Sequence, residues 1–148
     1  MFRGQYEHTV DAKGRLALPS AFRRTLAERG DGQLVVTKHL STNCLVAYPQ
    51  EEWRTFESRL AALPQFDANV MVIRRLYVGG AMDCSIDKQG RVLVPPVLRE
   101  MVGLEREVFW VGNLATIEIW AKDAWLNYRA GDDIDASAAA AKLGELGL

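Results

Sequence analysis

Only two histidines and two cysteines occur in the 148 residues, with no CxxC pair among them. The thiolate and imidazole donors of a structural metal site are therefore missing, and no metal is expected. No apolar run approaches the ~20 residues that span a bilayer. The first residues also lack the basic, apolar, small-residue order of a secretory signal, so a cytoplasmic protein without a membrane partner is expected. Charge of one sign is scarce too: 18 lysines and arginines stand against 19 aspartates and glutamates, a formal net charge of -1. That excludes a general positive field for capturing nucleic acid. Any anion-binding surface must be a local patch, or a patch multiplied by assembly. The catalytic inventory is thin as well. No glycine-rich phosphate loop leads into a helix, and no nucleophile with a base or carboxylate pair is readable, so neither an enzyme nor a cofactor or small-molecule substrate is expected.

Hydrophobic residues make up 49% of the chain and charged residues 25%, ordinary values for a globular protein with a real core. Cys44 and Cys84 each sit in an apolar, strand-like stretch and read as small buried hydrophobes. Charge is unevenly spread. Residues 1–30 hold Arg3, Lys13, Arg15, Arg23, Arg24 and Arg29 against Glu7, Asp11 and Glu28, whereas the last residues hold Asp132, Asp133, Asp135 and Glu145 against Lys142.

The chain repeats itself. Residues 10–19 read VDAKGRLALP and residues 86–95 read IDKQGRVLVP, so Asp11, Gly14 and Arg15 match Asp87, Gly90 and Arg91. The match continues through Arg23 with Arg99, Tyr48 with Trp120, Trp53 with Trp125 and Phe56 with Tyr128. In each copy two short strand-like runs flank a loop, Tyr6–Val10 and Leu16–Pro19 in the first. The aspartate can hold backbone N–H groups of that loop, and the glycine can take positive φ. A short helix should follow, capped by Ser20 and ended by Gly30 in the first copy, opened by Pro95 and Pro96 and ended by Gly103 in the second. Strands Gln33–Thr37 with Cys44–Tyr48, and Val108–Val111 with Thr116–Trp120, come next, the latter pair turning at Gly112-Asn113. Helices are expected over Gln50–Leu63, stopped by Pro64, and over Phe66–Tyr77 with Val70, Ile73 and Leu76 on one face. Gly79-Gly80 marks the boundary between copies, and Gly131–Leu148 reads as a frayed helix or disorder. The organisation is thus repeat one over 5–50, connecting helices over 51–80, repeat two over 81–124, and a C-terminal helix and tail over 125–148. The fold class is α+β, mainly β.

MFRG at the N-terminus, D-x-K-G-R-L-x-L-P and the later D-K-Q-G-R-V-L-V-P-P resemble the MraZ family across residues 1–128, and each copy resembles the SpoVT-AbrB and MazE swapped-hairpin unit. The resemblance implies an internally duplicated swapped-hairpin β-barrel with accessory helices, assembled into a ring-like homo-oligomer. It implies a nucleoid-associated, DNA-binding regulator of transcription that acts on repeated promoter boxes of the division and cell-wall gene cluster, usually as a repressor of its own operon. It also places DNA contact on the D-x-x-x-R loops. The candidate DNA-binding residues are Arg3, Lys13, Arg15, Lys88 and Arg91, with Asp11, Gly14, Asp87 and Gly90 shaping the turns. Lys13 gives way to Gln89 in the second loop while Ala12 gives way to Lys88, so each loop keeps one lysine.

On residues alone, Arg15 and Arg91 either touch DNA or pair with their own aspartates. Both hold if the carboxylate orients an arginine whose remaining donors face outward. Arg3 and Lys13 suit phosphate. Arg23, Arg24, Arg74 and Arg75 read as solvated helical faces, and the repeated aromatics as core or subunit-contact residues. An antitoxin-like module binding a protein partner is the competing class.

Overall fold

A computed structural model describes residues 1–148. The first copy comprises β1 (Gln5–Thr9), β2 (Arg15–Ala17), α1 (Ser20–Glu28), β3 (Gln33–Lys38), β4 (Leu45–Pro49) and α2 (Gln50–Ala61). The linking α3 (Ala68–Val72) runs on as a π-helical turn from Ile73 to Val78. The second copy comprises β5 (Met82–Ser85), β6 (Arg91–Leu93), α4 (Pro96–Met101), β7 (Glu107–Asn113), β8 (Thr116–Ala121) and α5 (Lys122–Ala130), and α6 (Ala136–Glu145) ends the chain.

The two copies exchange strands. Six strands form one sheet in the order β1-β7-β8-β4-β3-β5, and β2 pairs with β6 as a separate two-stranded ribbon. β1 of the first copy thus lies on β7 of the second, and β5 of the second on β3 of the first, in both cases antiparallel. Single bridges, Val10 to Leu16 and Ile86 to Val92, join ribbon to sheet within each hairpin. The interleaved, duplicated architecture is therefore as expected, and its closure around the core rests on those two bridges rather than on continuous ladders. The pseudo-two-fold axis passes between the paired Leu16 and Val92 on one side and the paired Val46 and Glu118 on the other.

Strand alternation explains the core. Leu16 and Val92 are wholly buried while their neighbours along the ribbon point outward. They join Phe2, Phe22, Leu34, Trp110, Ile117 and Ile119 in one cluster shared by both copies. Each such aliphatic side chain, fully buried, stabilises the fold by about 1.5–3 kcal/mol relative to exposure. Two satellite clusters flank it at related positions. Trp53 packs with Val35 and Tyr77 in one, and Trp120 and Trp125 pack with Cys44 in the other.

Several local expectations change. Ser20 does not cap α1: Pro19 holds the cap position with no side-chain hydrogen bond, and Ser20 is the first helical residue. Gly112 and Asn113 continue β7, and the turn falls on Leu114, which takes φ 61°. The reason lies in the N-terminus. The Phe2–Arg3 backbone runs so close to Gly112 that a Cβ there would stand 2.4 Å from the Arg3 nitrogen. Gly112 is glycine for close approach, not for turning. Leu76 is exposed, since the π-helical turn brings Tyr77 inward instead, where its carbonyl accepts from the buried Thr37 hydroxyl at 2.6 Å. The tail forms α6, capped by Asp135, with no residue buried. No helix is long and apolar enough to cross a membrane.

Candidate nucleic-acid interface

The two D-x-x-x-R loops share one geometry. The Asp11 carboxylate accepts from the backbone N–H groups of Lys13 and Arg15 through Oδ1, each at 2.9 Å, and from Arg15 Nε through Oδ2 at 2.7 Å. Asp87 does the same for Gln89 and Arg91, with Arg91 Nε at 2.8 Å. Gly14 (φ 81°) and Gly90 (φ 76°) supply the left-handed residue that lets the chain return. Hydrogen bonds from the arginine backbone, above all, hold both carboxyls below the usual aspartate range. Each aspartate thus closes its loop and fixes the arginine by one edge of the guanidinium. No hydrogen bond to protein engages the Nη groups of Arg15 or Arg91, which leaves that fork to an outside acceptor.

The ribbon sets the spacing. Arg15 pairs with Leu93, and Ala17 with Arg91, around the inward Leu16–Val92 pair. Arg15 and Arg91 therefore stand on the outward face as diagonal neighbours, a separation of about 7–8 Å in an antiparallel pair and somewhat less at Cβ. Their side chains are 28% and 30% exposed. Lys13 and Lys88 lie exposed on the loops at opposite ends of this ribbon. Six cations, namely Lys13, Arg15, Arg23, Lys88, Arg91 and Arg99, gather around Asp11 and Asp87 on a chain whose overall charge is nearly balanced. Arg3 is not among them. It lies at the other end of β1, beside the β7–β8 turn, roughly 20–25 Å of extended chain from the first loop at ~3.3 Å per residue.

Arg23 and Arg99 are the residues whose place the sequence reading missed. Arg23, expected on a solvated helical face, reaches across the axis from α1 and donates through Nη2 to the Lys88 carbonyl at 2.9 Å. Arg99 of α4 lies over Gly14, where a Cβ would meet its Nη2 at 2.7 Å. The repeat itself carried the signal, because Arg23 and Arg99 occupy matching positions.

The arrangement defines an internally duplicated swapped-hairpin protein with an arginine pair displayed on a central ribbon. The family described as "MraZ protein, putative antitoxin-like" matches residues 1–75 and 77–144. The chain is 42% identical over its full length, and that of the relative, to the "Transcriptional regulator MraZ" of Acetivibrio thermocellus. It is 41% identical, again over both full lengths, to the protein of the same name from Thermoanaerobacter pseudethanolicus, and 44% identical over 86% of each chain to that of Heliobacterium modesticaldum. This chain belongs to the MraZ family.

Proposed function

We propose that the protein is a sequence-specific DNA-binding regulator of transcription that reads repeated promoter boxes through its two D-x-x-x-R loops. The observation that carries this reading is the pair of outward arginines on a two-stranded ribbon. The major groove of B-DNA, about 12 Å wide, admits such a ribbon, and a guanidinium fork matches guanine O6 and N7. Lys13 and Lys88 at the ribbon ends suit the flanking phosphates, which fix position without reading sequence. Arg3, remote from the ribbon, would serve a phosphate contact only on a separate stretch of DNA. The names of the relatives support the regulatory role, and the resemblance supports repression of the division and cell-wall cluster, the chain's own operon included. A ring of subunits would multiply a modest patch into avidity.

Selection from random duplex DNA with the purified protein is the first test, with enrichment of a repeated short box expected. On that operator, Arg15→Ala should cost about 1–3 kcal/mol of binding per engaged loop. It should cost about 0.5–1.5 kcal/mol of folding stability, for the Nε–Asp11 bond that it removes, and leave the protein folded. Wild-type affinity in Arg15→Ala, or its unfolding, would remove the contact role. A second reading is favoured by the wholly exposed α6 and by the antitoxin-like description of the family: a module whose tail engages a protein partner. Failure to enrich any DNA sequence would favour it.

A further inference from the structure

The two loops are alike within themselves but are held differently from outside. In the second loop the peptide between Lys88 and Gln89 is fastened on both edges. Its carbonyl accepts from Arg23 Nη2 at 2.9 Å, and its N–H donates to Asp87 Oδ1 at 2.9 Å. That same carboxylate binds the Arg91 backbone N–H and Nε. The rest of the Arg23 side chain lies against Gly90, so close that a Cβ there would meet its Nε at 2.6 Å. Three links thus run from α1 of the first copy to the Arg91 guanidinium of the second. In the first loop the matching arginine spends its Nε on the Val94 carbonyl of its own copy at 3.0 Å, and covers Gly14 by contact alone. The Ala12–Lys13 peptide is held by Asp11 on its N–H edge only.

We infer that Arg23 is a positioning residue for Arg91, acting across the pseudo-two-fold axis through the Lys88–Gln89 peptide. The second loop is thereby ordered before DNA arrives, while the first keeps more freedom. A donor fixed in advance loses less entropy on binding than one that must be ordered. The difference also offsets the sequences of the two loops, since the loop without a lysine beside its glycine is the one tethered from outside. This inference rests on the proposed DNA-binding role of Arg91, but the tether itself is a property of the free protein.

Two measurements separate these layers. In the protein without DNA, Arg23→Ala should speed hydrogen exchange at the Gln89 and Arg91 amides and leave the Lys13 and Arg15 amides unchanged. Equal exchange in variant and wild type would overturn the tether. On the selected operator, Arg23→Ala should weaken binding about tenfold, and by less than about threefold once Arg91→Ala is present, because residues in one network are not additive. Its effect should stay near tenfold in an Arg15→Ala background, since Arg15 shares no hydrogen-bond partner with Arg23 or Arg91. Additive loss with Arg91→Ala, or full rescue by Arg23→Lys, would mean that Arg23 touches phosphate directly, and the positioning role would fall. Lysine keeps the charge but not the planar, two-sided reach of the guanidinium. If exchange responds as stated while the wild-type protein enriches no DNA sequence, the tether stands and the proposed function does not.

Discussion

Asp11 and Asp87 do at the scale of single residues what a longer hairpin would do with backbone ladders. One carboxylate satisfies two loop N–H groups and the arginine beside them, and the charged form is the one those donors favour. Because the native carboxyl is held below its unfolded value, the stabilisation is fully present above the ordinary aspartate range near ~3.9. It is lost as pH falls through the lowered native value. Loop geometry should therefore be indifferent to pH between neutrality and about pH 5, and should fail only in strong acid. A carbon-13 titration should find the Asp11 and Asp87 midpoints below that of a free peptide spanning residues 9–17; midpoints at or above it would contradict the loop network. The cysteines behave oppositely. Burial pushes both the Cys44 and Cys84 thiols up to about 11, so neither supplies thiolate at neutral pH, and their conformity with the sequence reading is one of packing rather than chemistry.

Elements were legible where one copy could be checked against the other and where periodicity was strong. The strands, the short helices and their glycine ends at Gly30 and Gly103 all follow from local pattern. What sequence could not show was long-range proximity. Nothing near Gly112 in the chain reports that Phe2 and Arg3 run past it, so a glycine beside an asparagine reads as a turn although both lie in β7. Arg23 was misread for the same reason: its partner carbonyl is 65 residues away. In the candidate interface, the turn residues and both arginines were visible from the repeat and their DNA-contact role only from the resemblance, whereas the separation of Arg3 from them needed the direction of β1. Gly112→Ala tests the packing account. The added methyl would press on backbone atoms of Phe2 and Arg3 at 2.4–2.7 Å, and Phe2 is anchored against Phe22, so neither side yields cheaply. Denaturant unfolding should show a loss of about 1–3 kcal/mol, the usual penalty of overpacking. Gly32→Ala, where nothing lies within 4 Å, should change little.

Across the whole molecule, apolar side chains are left uncovered in the segment that links the two copies. Phe66 is 92% exposed and Leu76 64%, with Leu63 and Val72 half-exposed in the same segment, and Leu63 borders a groove lined by Tyr48, Phe56, Leu60 and Ile73. Such exposure in one short segment suits a contact between subunits. Light scattering at micromolar concentration should give several times the 16.5 kDa of one chain, and Phe66→Asp should lower that mass; a single-chain mass for wild type would contradict the assembly. The strand exchange has a consequence of another kind. The first 79 residues contain no partner for β1 or β2, and leave one edge of β3 and one of β4 open, because all four pair with strands that come later in the chain. Neither half can close a core alone, yet each holds the complement of the other. A break between Gly79 and Gly80 should therefore yield two fragments that are unstructured or aggregating apart and that regain the native circular dichroism when refolded together. If so, the covalent link is a convenience of synthesis, and the folding unit is a heterodimer written on one strand of message.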